Sequence, residues 1–393
     1  MTGIARMKKK LFDLRVVIAT HVYGTGASQD LLQYFIDHKV GKTLFIGHPL
    51  FYDKHLKGSG FELYSNGLLI RKEYSRNHNI PIFLGFILHA VKNLVWSIVK
   101  GSRWDIYIGS NNLNAYTGLI LKKLGFVTHV VYYVIDYNPK RYGNPIMNYL
   151  YHKLDQYCVL NSDETWNLSP RMEQGRKIYF GFTGGNQKVV PVGMWKEAMV
   201  RIPFSKINKY RVVFLGHILK KQGVQHIIDA IPEIKKKIRE FTLLVMGDGE
   251  YLDNLKRQVQ ALDLENTVEF TGYIPDHTII EKKLSNCALG IALYKRMDEN
   301  NLNFSYFGSP TKVKTYLASG LPVMITDVPY NASELVRKGC ARITTTNSHD
   351  IAVNLISILS NPKILGTMRD KVVRYRRKFD WNVIFTKALD AMI

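Results

Sequence analysis

The sequence predicts an α/β chain of two doubly wound domains in tandem, each built on a parallel sheet and both facing one cleft. Three observations predict it. Strand-like apolar runs alternate with helical patterns along the chain; the alternation stops at a glycine-rich stretch, residues 181–193, and restarts at Arg211; and residues 309–323, Ser-Pro-Thr-Lys-Val-Lys-Thr-Tyr-Leu-Ala-Ser-Gly-Leu-Pro-Val, join a helix start to a buried strand. With 393 residues the chain can hold two domains with full cores.

In the first half, Val16 to Thr20, Thr43 to Ile46, Ile106 to Ile108 and His129 to Ile135 read as strands. Ala27 to His38, Ile80 to Lys100 and Ala115 to Lys123 read as the helices between them. A helix from Asn144 to Leu154 precedes a strand at Gln156 to Leu160. The linker is placed from Gly181 to about Tyr210, giving domains at 1–195 and 205–375. The second half opens with strand Arg211 to Leu215 and helix Gly223 to Lys237. Strand Phe241 to Met246, helix Tyr251 to Leu262, and strands Val268 to Phe270 and Leu289 to Leu293 follow. Pro322 to Ile325 is the next strand, Asn331 with Glu334 reads as a capping box, and Ile351 to Ser360 and Ile364 to Ala391 are helical.

The formal net charge is +22. Residues 1–180 carry 23 Lys and Arg against 12 Asp and Glu, so the excess belongs to both halves rather than to a tail. Such a field favours anionic partners: nucleotide phosphates, anionic lipid surfaces or nucleic acid. No nucleic-acid recognition module accompanies it, so none is expected as a partner. Cys158, Cys287 and Cys340 are few and far apart, with no zinc or redox spacing, which points to a reducing, cytoplasmic location.

Ile80 to Val99 has membrane length, but His89, Lys92 and Asn93 at its centre exclude a transmembrane span. Phe83, Ile87, Val91, Leu94, Val95 and Ile98 share one helical face, read here as facing the core. The alternative is a membrane-surface helix, because Lys92, Lys100, Arg103, Trp96 and Trp104 lie close by.

The candidate functional residues follow strands, where ligands of doubly wound sheets bind. Gly24, Thr25 and Gly26, after the first strand, let backbone approach an acceptor, or simply make a tight turn. Asp136, at the end of His129 to Ile135, is a candidate acid/base or acceptor-orienting carboxylate, with capping of the next turn as the structural alternative. Gly216, His217, Lys220 and Lys221 join the second domain's first strand to its first helix, and lysines at a helix N-terminus oppose the helix dipole unless an anion joins them. Gly247-Asp248-Gly249 is fully explained as a turn. Gly272, Tyr273 and Ile274 offer backbone groups to a base edge and a ring to its face. Ser309 is the expected N-cap of a helix with Pro310 first, leaving the amides of Thr311, Lys312 and Val313 to seat a phosphate beside the Lys312 ammonium. Asn300, Asn301 and Asn303 are candidates for sugar hydroxyls. There is no Asp-x-Asp pair for a divalent metal and no Walker lysine loop, so no metal or cofactor is expected.

The order Gly216…Lys220-Lys221-Gln222-Gly223-Val224, Met246-Gly-Asp-Gly249, Phe270-Thr-Gly-Tyr-Ile-Pro275, Ser309-Pro-Thr-Lys-Val…Ala318-Ser-Gly-Leu-Pro-Val323 resembles the donor domain of retaining glycosyltransferases of family 4. The resemblance is continuous from about Val212 to Val336 and looser over the first domain. It implies the GT-B fold, two Rossmann-like doubly wound domains facing a cleft, with a C-terminal helix at about 376–393 crossing back onto the first domain. It implies a nucleotide-diphosphate sugar as donor and a glycan or lipid-linked acceptor; the basic surface and the aromatic-rich first domain add a peripheral contact at the inner face of the plasma membrane. By position, the family's arginine falls at His217, its lysine at Gln222 with Lys221 as substitute diphosphate clamp, and its paired glutamates at Phe307 and Thr315. His217 and Lys221 would stabilise the departing diphosphate, and Thr315 would offer one hydroxyl. The absent glutamates leave two further readings: a scaffold of this fold that has lost catalysis, and a sugar-nucleotide epimerase.

Overall fold

A computed structural model describes residues 10–21, 26–49, 58–75, 82–199, 201–295, 304–390 and 392. The chain divides into two compact units, Met1–Pro191 with Trp381–Ile393, and Val192–Asp380.

The first unit holds an eight-stranded sheet in the order β4-β3-β2-β1-β5-β6-β7-β8. Its strands are β1 Arg15–Thr20, β2 Lys42–Gly47, β3 Gly60–Ser65, β4 Leu68–Tyr74, β5 Trp104–Gly109, β6 Val127–Val134, β7 Glu164–Asn167 and β8 Gln187–Val189. Pairing is parallel except for β2 with β3 and β3 with β4. Helices α1 Ala27–Asp37, α2 Ile82–Lys100, α3 Asn112–Lys123, α4 Pro145–Asn161 and α5 Pro170–Phe180 connect them. Val16, Val17, Ile18 and Ala19 are all fully buried, as a parallel strand covered on both faces requires.

Two expectations need correction here, and one element has no counterpart in the sequence reading: the hairpin β3–β4, turned by Asn66-Gly67 with φ of 50° and 81°. Gln156 to Leu160 belongs to α4 rather than to a strand. Its helix is pinned by a buried bidentate pair, Arg176 Nε to Asp155 Oδ2 at 2.7 Å and Nη2 to Oδ1 at 3.0 Å, which sets helix against helix. Part of the stretch read as linker, Gln187–Val189, is the edge strand of the sheet.

The second unit holds a six-stranded sheet, β11-β10-β9-β12-β13-β14, with every pairing parallel. The strands are β9 Arg211–Leu215, β10 Thr242–Met246, β11 Val268–Gly272, β12 Leu289–Ala292, β13 Val323–Ile325 and β14 Ala341–Ile343. Helices α6 Val224–Lys235, α7 Leu252–Ala261, α8 His277–Ser285, α9 Thr311–Ala318, α10 Ala332–Arg337, α11 Ser348–Leu359 and α12 Pro362–Tyr375 complete it. Two apolar clusters cover the sheet, one built around Phe214, Ile227, Ile231, Val245 and Leu355, the other around Val213, Val313, Leu317, Val323 and Leu335. The expected caps are absent: Pro310, not Ser309, precedes α9, and Asn331 makes no side-chain cap bond to α10.

The last helix, α13 Trp381–Leu389, belongs to the first unit. It packs on α1 through the Tyr34 hydroxyl and Thr386 Oγ1, 3.0 Å apart, and receives Lys188 Nζ at the Ala388 carbonyl. Arg376–Phe379, which lay inside the expected crossing helix, is instead a 3-10 turn of the second unit, with Phe379 accepting from the Met194 N–H.

At the carboxyl ends of β1, β2 and β5 the first unit buries three imidazoles together. His21 Nε2 lies 3.2 Å from His89 Nδ1, and the rings of His48 and His89 stack at 4.5 Å. Asn111 and Asn114 amides reach His21 Nδ1, while His48 bonds Ser59 Oγ and Asn93 Oδ1. Burial holds all three neutral; it lowers His21 to about 3, with His89 adding repulsion, and His89 to about 4, with Lys92 adding repulsion. In the unfolded chain these groups titrate near pH 6.5. Stability is therefore full above that value and falls as the pH drops toward about 4, by up to about 1.4 kcal/mol per unit for each histidine. Thermal melting between pH 7 and pH 4 is expected to show this slope, and His89→Asn to flatten it; equal slopes in both proteins would refute the assignment.

Candidate functional site

In the second unit the chain leaves the carboxyl ends of neighbouring strands through glycines. After β9, Gly216 adopts φ 130°, and its N–H bonds the Met246 carbonyl at 2.9 Å. After β10, Gly247 adopts φ 137°, and a Cβ there would lie 2.0 Å from the Gly216 carbonyl oxygen. The two loops touch backbone to backbone, an approach only glycine permits. Ile218 N–H then bonds the Asp248 carbonyl at 2.8 Å, extending the seam. Gly247 in turn donates to the Gly272 carbonyl at the end of β11.

Beside this seam lies a cavity of 680 Å³ lined by Leu215, Gly216, His217, Met246, the 247–249 loop, Tyr273, Ile274 and Ile280. Of the sequence candidates, Gly216, His217, Tyr273 and Ile274 therefore meet in one place, with Gly272 beside them. His217 and Tyr273 are exposed on its rim. The 247–249 segment, read as a mere turn, is a wall of the cavity, so that reading is corrected. Its signal was the paired glycines just past a strand.

Lys312 reaches this loop from below. It stands one turn before Tyr316 on α9, so both side chains leave the same helix face. Tyr316 is wholly buried; its hydroxyl donates to the Ile291 carbonyl at 3.1 Å and accepts the Leu215 N–H at 2.7 Å, locking α9 against β9 and β12. Lys312 Nζ then donates to Gln222 Oε1 at 2.7 Å and lies 4.0 Å from the Phe214 ring centroid and 5.3 Å from that of Tyr294. A Cβ on Gly216 would sit 3.3 Å from Nζ. Burial pulls the pKa of this ammonium down to about 7.

The cation at the first glycine is thus Lys312 rather than Lys221. Lys220 is exposed on the 3-10 turn 220–222, Lys221 accepts the Lys295 N–H through its carbonyl, and neither lines the cavity. Sequence reasoning placed the family's lysine at Gln222 but did not foresee its bond to Lys312, nor Tyr294 beside it, because these contacts span 90 and 18 residues. The Thr311, Lys312 and Val313 amides open α9 with no side-chain cap. Ser309 is buried, and the Thr315 hydroxyl donates to the Thr311 carbonyl at 3.1 Å within its own helix. Phe307, where the resemblance places a carboxylate, is 2% exposed.

In the first unit, Asp136 is exposed and paired with Arg141 Nη1, so its carboxylate is engaged by a neighbour. Gly26 precedes α1 and accepts the Gln29 and Asp30 N–H groups. Gly24, Thr25, Asn300, Asn301 and Asn303 lie outside the described residues.

Comparison with known proteins matches residues 196–379 to the family model described as Glycosyl transferases group 1. Alpha-monoglucosyldiacylglycerol synthase of Streptococcus pneumoniae is 30% identical over 149 residues, 37% of this chain. The chain spans only 30% of that relative's length. Sucrose-phosphate synthase from Thermosynechococcus elongatus superposes with a TM-score of 0.70 at 14% identity, covering 96% of this chain and 97% of that one. HepE of Anabaena, solved in complex with UDP and glucose, gives 0.68 at 16% identity, covering 96% and 99%. These likenesses establish the fold as GT-B, as the sequence led one to expect.

Gly247→Ala is expected to force the two loops apart and lower stability by about 1–3 kcal/mol. A denaturant melt reads this; an unchanged midpoint would show that the seam tolerates a side chain.

Proposed function

We propose that this chain, whose residues 196–379 match the family model of the glycosyl transferases group 1, is a retaining family 4 enzyme that moves a hexosyl group from a nucleotide-diphosphate sugar to a glycan or lipid-linked acceptor of the cell envelope. The observation that carries the reading is the Lys312 ammonium, enclosed beneath Gly216 at the edge of a cavity outside the carboxyl ends of β9 and β10. Phosphates are bound in such places. Leu215, Met246 and Ile280 give a nucleoside an apolar bed, and the exposed Tyr273 ring can cover a base. In the reaction the bond from the anomeric carbon to the diphosphate oxygen breaks and a bond to the acceptor oxygen forms. The acceptor's proton passes to the leaving phosphate. Lys312, His217 and the first amides of α9 meet the charge that grows on that group, so no step is assigned to a metal. Lys220, Lys221, Ser309, Thr311 and Thr315 are left as flanking groups, and Asp136 as a residue that orients the acceptor.

The UDP and glucose held by the Anabaena neighbour support a nucleoside-diphosphate donor. The product in the S. pneumoniae relative's name supports a lipid acceptor. The location that follows is cytoplasmic, peripheral at the inner face of the plasma membrane.

One observation favours a second reading, a scaffold without catalysis: a buried phenylalanine at 307 and an engaged threonine at 315 stand where the resemblance implies carboxylates. Release of nucleoside diphosphate only when acceptor is present supports transfer. Tight nucleotide binding with no release under any acceptor supports the scaffold, and release without acceptor supports an epimerase or hydrolase.

Lys312→Met is expected to weaken nucleoside-diphosphate binding by about ten- to a hundredfold. The bound anion raises the Lys312 pKa, so affinity is full below about pH 7 and declines as the pH rises above it. Calorimetric titration from pH 6 to pH 9 reads this; a decline that persists unchanged in Lys312→Met assigns it elsewhere.

A further inference from the structure

Helix α2 is turned inside out. Its buried row is Gly85, His89, Asn93 and Ser97, spaced four apart. Its outward face is Leu84, Ile87, Val91, Val95 and Ile98, each between 38% and 53% exposed. A helix on a water-facing surface shows the reverse pattern. The face read from sequence as core-facing is therefore the solvent face, and that expectation is corrected; the side chain of Phe83 lies outside the described set. Trp104 is a wholly buried residue of β5, and Trp96 packs on Phe61 with centroids 5.4 Å apart, so neither tryptophan serves an outer surface.

The surroundings of this stripe are cationic. Residues 82–100 contain two lysines and no acidic residue. Lys92 Nζ bonds Ser75 Oγ just past β4, Lys100 Nζ stands 4.7 Å over the Phe61 ring of β3, and Arg103 is exposed beyond the helix. The flanking edge strand β4 is exposed along its length, with Leu68, Leu69 and Ile70 followed by Arg71 and Lys72. Arg71 and Lys72 are paired with Glu73 and Glu62. No single helix among the described residues is long and apolar enough to cross a membrane.

We infer that the outer face of α2 docks on an anionic lipid bilayer, the helix lying in the interface with its apolar row among the acyl chains and Lys92, Lys100 and Arg103 at the headgroups. An apolar row flanked by cations and free of acids complements that surface on both counts. A second copy fits worse, because its helix brings the same lysines and no acidic residue to meet Lys92 and Lys100. The inference deepens the proposed membrane-associated reading, and its test needs neither donor nor acceptor.

The full chain is mixed with vesicles of phosphatidylcholine alone or with phosphatidylglycerol added, and sedimented. Wild type is expected to partition to the anionic vesicles, less so as salt rises. Ile87→Ser/Val91→Ser/Val95→Ser is expected to lose more than about tenfold in partitioning. Lys100→Glu/Arg103→Glu is expected to lose the preference for anionic lipid. Thermal melts and nucleoside-diphosphate binding, expected unchanged, certify that both variants are folded. Wild type that stays in the supernatant, or variants that partition as wild type does, would overturn the inference. So would a dimer that the three serines disperse, which would give the face to a second copy. Vesicle binding without sugar transfer refutes only the catalytic reading; transfer to a soluble acceptor without vesicle binding refutes only this one.

Discussion

A lysine ammonium with no ion partner among the described residues constrains the second unit. There Lys312 Nζ has one close acceptor, Gln222 Oε1, and two aromatic rings, Phe214 and Tyr294. Those contacts soften the desolvation of a charge but do not cancel it, which is why the group's pKa is drawn down to about 7. Its location is fixed one turn away, by the Tyr316 hydroxyl shared between β9 and β12. Tyr316 in turn needs Gly290, where a Cβ would lie 2.5 Å from its ring. A strand glycine, a buried tyrosine, a helix register and a lysine thus form one chain of necessity that ends under Gly216.

The same logic explains why the site is made of backbone. At Gly247 the two backbones approach so closely that no side chain fits, Gly216 holds a φ of 130° with Lys312 against it, and both glycines line the cavity. A surface of this kind does not reorganise when charge develops on a ligand, which is the property electrostatic stabilisation requires.

The fold was legible because apolar alternation survives any detail of packing. β1, β2, β5 and β6, and the strands β9 to β13 of the second unit, begin or end within two residues of their sequence reading, while β14 has no counterpart in it. What failed was governed by side chains acting at a distance. Glu164–Asn167 carries no apolar pattern, because Trp166 Nε1 bonds Glu164 Oε2 and Arg176 bonds Asn167, so polar residues are buried by pairing. Within the site, Gly216, His217, Tyr273 and Ile274 could be found from their places after strands. Lys312 was legible as a cation at the start of α9, but its place beneath Gly216 and beside Gln222 was not, because that rests on a contact across 90 residues.

Helix α2 shows the limit from the other side. Hydrophobic periodicity gives the width of an apolar face but not the direction in which it points. That direction is set by hydrogen bonds: Asn93 Oδ1 is within 2.9 Å of His48 Nε2, Asn93 Nδ2 donates to Asn114 Oδ1, and His89 meets His21. Turning the apolar row inward would strand these groups against a sheet edge that holds His21 and His48 buried. Each lost buried bond costs about 1–3 kcal/mol, comparable to the gain from covering one aliphatic side chain. The network therefore competes on equal terms with the apolar face for the inside of the unit.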